Sequence, residues 1–250
     1  MTLAQILHVE DLFHHLGKED ESHERRIEVA SDPRLEAIVS KYRAFVASSV
    51  KIAKSGHEGL WLDSGKFTPL ISTAEDVEKF CLALANFQIV EGFEHSDWLS
   101  GIYLSRLIKE SPERVFNLYT NHLEVPPSCL GYGNEGKKIT VHGDVNSFTG
   151  GRMLRGFIEV NGNSIYSTGY CMQGGELIIR GDTVWAVGCQ MTGGEIRVYG
   201  NAGKWVGDGS KGGKIFMHGD YYIQTDGESR PIAEIHYKGR LIWQGGKPVT

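Results

Sequence analysis

Gly131-Tyr-Gly-Asn-Glu-Gly136 has the glycine spacing that lets a backbone approach the pyrophosphate of a dinucleotide. That chemistry needs a strand before the glycines and a helix after them. Here Pro126-Pro127 stands before, and the alternating apolar residues Ile139 and Val141 follow, so the string reads as a turn. His8, Asp11 and His15 fall at three- and four-residue intervals, with Glu10 and His14 beside them, and could share one helical face around a metal. An exposed helix face needs no fourth ligand and is the reading we favour. Ser64-Gly65-Lys66 could hold an anion through backbone N–H groups and an ammonium, although hairpin turns use the same residue types routinely. Cys81, Cys129, Cys171 and Cys189 show no CxxC spacing and no histidine at zinc-site intervals. Free thiols are therefore expected, with a Cys171–Cys189 bridge the one alternative. Tyr166, Tyr170, Trp185 and Trp205 are candidates for a groove or interface, together with His142, Arg180 and His218. The last three occupy equivalent positions with Asn161 and Tyr199, as on a polar outer face. The P-loop, zinc-protease and nucleophile-elbow motifs are all missing.

The elements that would position these residues divide the chain in two. Of the 32 glycines, six precede residue 126 and the rest follow it. In residues 1–125 apolar side chains recur at three- and four-residue intervals, the pattern of amphipathic helices. Asp32 before Pro33 is an N-cap signal for a helix through Leu35, Ile38, Val39, Tyr42 and Phe45. Ser72 with Glu75 has capping-box spacing, and Ser96 can cap Trp98 to Ile108. Ser111-Pro112 repeats the first signal ahead of Val115, Phe116 and Tyr119, so a further helix is expected there. Leu60–Leu62 and Lys66–Thr68 flank Asp63-Ser64-Gly65 as a short hairpin.

Residues 126–250 carry an internal period. Gly143, Gly162, Gly181, Gly200 and Gly219 are each 19 apart, as are Gly131, Gly150, Gly169, Gly188 and Gly207. Ile139, Ile158, Leu177, Ile196 and Ile215 keep the same interval, and so do Val141, Val160, Ile179, Val198 and Met217. A strand this short cannot bury its inner face alone, so stacked coils must do it together. The fold expected is therefore α+β by domains, a mainly helical unit (1–125) followed by a right-handed parallel β-helix of 19-residue coils (126–250). About six coils at roughly 4.8 Å each make a rod on the order of 30 Å long. After the first glycine series the residues alternate Asp144, Asn163, Asp182, Asn201, Asp220. Interposed asparagine separates stacked carboxylates to roughly 10 Å, about one Debye length. A calcium ladder would need more oxygens than the one per coil this series supplies. The period slips to 20 between Gly219 and Gly239, after a polar stretch from Thr225 to Arg230 that reads as a loop. The helical unit is expected to cover the first coil and Trp243 the last.

The run from Gly193 to Gly207, with Lys211-Gly-Gly-Lys-Ile-Phe-Met-His-Gly-Asp220 behind it, resembles a β-helix repeat family. It is similar to the C-terminal domain of the glutamate synthase large subunit and to a β-helix component of formylmethanofuran dehydrogenase. The likeness spans about residues 130–220, and it departs from the pattern at Thr149, Arg155 and Asp226. It implies a structural role, buttressing and connecting catalytic parts, and it transfers no catalytic residue. Residues 1–125 lack an amidotransferase's N-terminal nucleophilic cysteine and are too few for a synthase barrel.

Composition narrows function further. A net charge of −5, no basic cluster longer than two residues and no apolar run of bilayer length argue against nucleic acid and membrane partners. A cytoplasmic location is expected, with no cofactor. Two functions fit. The first is a non-catalytic scaffold or subunit that docks onto a protein partner or onto itself, for instance within an amidotransferase or oxidoreductase assembly. The second is a small enzyme or ligand-binding protein with its site between the helical unit and the β-helix.

Overall fold

The structure, a computed structural model, describes residues 32–54, 69–86, 96–221, 223 and 230–249. The histidine cluster near His8 and the 60–68 hairpin lie outside these residues. Among them three α-helices precede the strands: α1 (Pro33–Lys54), α2 (Ala74–Ala83, continued by a 3-10 turn at Leu84–Asn86) and α3 (Ser96–Glu110). Asp32 caps α1 as expected, its Oδ1 accepting the backbone N–H groups of Arg34 and Leu35 at 3.0 and 3.1 Å. The capping box of α2 sits one residue later than the Ser72–Glu75 expectation. Thr73 Oγ1 accepts from the Asp76 N–H, and Asp76 Oδ2 accepts from the Thr73 N–H at 2.7 Å. Asp76 wins because it also meets Arg34 of α1 at 2.6 Å, so one carboxylate serves two helices. Tyr42, Phe80 and Tyr103 close the helical core with ring centroids 5.1 to 5.4 Å apart. The Tyr103 hydroxyl donates to the Ile38 carbonyl.

A parallel β-solenoid follows, of about six turns. Strands β1 (Val115–Tyr119), β2 (Glu135–His142), β3 (Arg155–Asn161), β5 (Glu176–Ile179), β7 (Glu195–Val198), β9 (Lys214–Met217) and β10 (Glu234–Tyr237) lie side by side in one sheet. Strands β4 (Ser164–Tyr166), β6 (Thr183–Trp185) and β8 (Ala202–Lys204) form the second. The period predicts the register: Ile139 pairs with Ile158, then Leu177, Ile196 and Ile215, and after the slip to 20 Ile215 pairs with Ile235, all fully buried. Between Glu135 and Lys138 the register shifts by one, beside Arg155, which stands where later coils have glycine.

The expected helix after Ser111-Pro112 is instead β1. Val115 and Asn117 are exposed while Phe116 and Leu118 are buried, and the buried pair sits over Ile139 and Val141. Pairing with β1 satisfies the edge of β2, which a helix there would leave bare. The solenoid therefore begins ahead of Pro126-Pro127. The helices cover its first coil. The Cys81 thiol in α2 donates to the Tyr119 carbonyl at 3.2 Å, and Ser105 Oγ in α3 joins the carbonyls of Gly101 and Cys129 to the Gly131 N–H. A Cβ on Gly101 would lie 1.6 Å from the Ser128 carbonyl oxygen, so α3 can approach the coil only at glycine. At the far end β11 (Arg240–Gln244) and β12 (Lys247–Pro248) turn back antiparallel. Trp243 there is buried and its indole N–H donates to the Pro231 carbonyl at 2.7 Å.

Candidate functional site

Between the two sheets each coil passes through a corner in which every second residue has positive φ. In one coil these are Ser167, Gly169 and Cys171; in the next they are Ala186, Gly188 and Gln190. Amides in this corner alternate between coils: Ser167 donates to Trp185 ahead, Gly169 to Thr149 behind, and Cys171 to Cys189 ahead. This corner presents the aromatic candidates. Tyr166 lies 6.1 Å from Phe148 and 6.4 Å from Trp185, centroid to centroid. Trp205 stands edge-on to Trp185 at 4.7 Å, and Tyr170 edge-on to Phe148 at 5.5 Å. Trp98 of α3 meets Phe148 at 5.1 Å and extends the stripe onto the helical part. Tyr166, Tyr170, Trp185 and Trp205 thus come together. Phe148 and Trp98 were missed from the sequence, although Phe148 shares the 19-residue register of Ser167, Ala186 and Trp205 and was open to discovery by that signal.

His142, Arg180 and His218 lie elsewhere, in one column on the outer face of the large sheet. His142 stacks on Tyr119 at 4.8 Å, Arg180 lies over Tyr199 at 4.5 Å, and His218 stacks on Tyr199 at 4.5 Å with planes 1° apart. The neighbouring column repeats the device, with Arg197 over Phe216 at 4.3 Å and Phe216 stacked on His236 at 4.5 Å. Arg180 is further fixed by Glu159 at 2.6 Å and Arg197 by Glu195. Tyr199 is thus held between Arg180 and His218, and Phe216 between Arg197 and His236. The stripe at the corner differs in that its rings are tilted or perpendicular.

A third feature lies where α3 meets the first coils. A cavity of about 300 Å³ is lined by Ile102, Arg106, Lys109, Tyr132, Glu135, Arg152 and Leu154, among others. A second, of about 220 Å³, adjoins it around Asn134 and Lys137. Lys109 Nζ contacts Glu135 at 2.6 Å and, by that hydrogen bond, holds its carboxyl below the usual range. Burial pushes the Tyr132 phenol up to about 12. Burial also pushes the Cys129 thiol beneath it up to about 12, which keeps it a protonated, weak nucleophile at neutral pH.

Cys171 and Cys189 are neighbours across two coils, and both are free thiols. Among the described residues no group of three or more His, Cys, Asp or Glu side chains is placed to hold a metal ion. The Asp/Asn series spends its oxygens otherwise: each accepts the backbone N–H of the next member, from Asp144 to Asn163 through to Asp220, at 2.6 to 2.9 Å. No described helix is long and apolar enough to cross a membrane.

No family model, no curated protein and no solved structure matches the chain.

Proposed function

We propose that this chain is a non-catalytic structural or protein-interaction protein whose solenoid serves as a scaffold or subunit of a larger assembly. The aromatic stripe from Trp98 through Phe148, Tyr166 and Trp185 to Trp205 carries this reading. Tryptophan and tyrosine supply large contact area at low entropy cost and dominate the energetics of protein interfaces. Here they stand on a backbone that every coil fixes to its two neighbours, so little ordering remains to be done on docking. The likeness of residues 193–220 to the β-helix of glutamate synthase supports an amidotransferase or oxidoreductase assembly as the setting.

Replacing Tyr166, which is 40% exposed, by a photo-crosslinking residue in the native cell tests the proposal. A discrete adduct, to another protein or to a second copy, is expected from position 166. Position 211, an exposed lysine outside the stripe, should give none. Equal or absent crosslinking at both positions contradicts the reading. The alternative, a ligand-binding protein or small enzyme with its site between helices and solenoid, draws on the cavity beside α3.

A further inference from the structure

We infer that the cavity between α3 and the first coils binds a small organic anion, a carboxylate or phosphate monoester attached to an apolar body. The larger lobe is lined by three cations, Arg106, Lys109 and Arg152, and by one carboxylate, Glu135. That carboxylate is already committed to Lys109 at 2.6 Å, and Arg106 reaches Glu110 at 4.0 Å. Among the described residues Arg152 meets no carboxylate within 4 Å. The lining of this partly enclosed space is thus net positive, on a chain whose net charge is −5. A local excess of one sign between low-dielectric walls concentrates the opposite charge. Arginine is the residue suited to it, because its planar fork meets a carboxylate or phosphate with two parallel hydrogen bonds. The turn that carries Arg152, at φ 50°, takes the same left-handed conformation in the other coils with Gly133, Cys171, Gln190 and Gly209, so it fixes the backbone beneath this side chain without selecting the residue type.

Apolar walls define the rest of the ligand. Ile102 and the ring of Tyr132 line the cavity, and Leu154, 44% exposed, is one of the few large aliphatic residues this open among the described residues. Their position beside the guanidinium groups favours a molecule with an anionic end and a hydrocarbon or ring body over a bare inorganic ion. The inference is independent of the aromatic stripe, which lies along the corner beyond Phe148.

Binding of phenyl phosphate, benzoate and inorganic phosphate to the full chain, followed by the side-chain Nε–H resonances of its arginines, tests it. Phenyl phosphate or benzoate should bind with a Kd of about 1 mM or tighter and move the Arg152 resonance. Whichever binds more tightly identifies the anionic group, and inorganic phosphate should bind at least about fivefold more weakly than the better of the two. Arg152→Gln should weaken that binding about tenfold, whereas Glu135→Gln, which releases Lys109 and removes the opposing charge, should tighten it. Opposite responses of two folded variants separate a lost site from a lost fold. No saturable shift up to about 10 mM, equal affinity for inorganic phosphate, or indifference to both substitutions would overturn the inference.

Discussion

Asn163 donates its side-chain Nδ2–H to Asp144 Oδ1 at 3.0 Å, one coil away, while its own backbone N–H reaches the same oxygen at 2.7 Å. The alternation of acid and amide along the solenoid is therefore a hydrogen-bonded stack as well as a spacing of charges. Asparagine supplies a donor that aspartate lacks, and both supply the acceptor for the next coil.

Asn163→Asp keeps the acceptor, loses that donor and places a third carboxylate between Asp144 and Asp182. Unfolding in urea should show a loss of about 1–2 kcal/mol at neutral pH and low salt, smaller at high salt. Its neighbours raise the new carboxyl's folded pKa, so the deficit should shrink as pH falls through that value and the acid comes to mimic the amide. A deficit independent of both salt and pH would mean that repulsion is not its source.

Ile196 stands in the inner ladder between Leu177 and Ile215, with no solvent exposure. Coils above and below hold it, so the cavity left by Ile196→Ala cannot collapse. A loss of about 3–4 kcal/mol in chemical denaturation is expected, against less than about 1 kcal/mol for the exposed Lys211→Ala.

Tyr237 pairs with Arg240, leaving Lys238 and Gly239 as a two-residue hairpin loop with φ of 47° and 82°. Both signs suit a type I′ turn, whose first position favours asparagine. Lys238→Asn should raise the unfolding midpoint, by about 0.5–1 kcal/mol of stability. An unchanged or lowered midpoint would argue against that turn.

Asp76 is desolvated, which works to raise its pKa, yet the N–H of Thr73 and the guanidinium of Arg34 prevail and hold it below 3.8. A depressed folded value means that its contribution is present above about pH 4 and is lost as pH falls through the folded value. Asp76→Asn should cost about 1–2 kcal/mol at pH 7 and flatten the acid limb of the stability profile. Parallel acid limbs in the two proteins would assign the acid loss to other groups.

The solenoid was legible because a period of 19 makes each residue's neighbour its own equivalent, and Ile158, Leu177 and Ile196 stack as their spacing requires. Strand β1 escaped because its distance to the next coil is longer, Phe116 pairing with Ile139 across a loop containing Pro126-Pro127. The proline signal before it then outweighed a short alternation. The corner escaped for another reason: glycine marks the middle of its three positive-φ positions in every coil and the third only at Gly133 and Gly209, while Ser167, Cys171, Ala186 and Gln190 adopt the same conformation under stacking constraints that composition does not reveal. Cations from α3 and the turn at Arg152 converge through tertiary packing alone, so the cavity left no motif.

Both the aromatic stripe and the cavity depend on coils lying one above another in register. Amide-to-amide nuclear Overhauser effects on a perdeuterated, amide-protonated sample test that directly, since neighbouring parallel strands lie only about 4.8 Å apart. Cross-peaks should link the strand around Ile158 with that around Leu177, and Leu177 with Ile196 and then Ile215, each 19 residues on. Contacts confined to near neighbours in sequence, or links at some other interval, would contradict the stacking and, with it, both proposed surfaces.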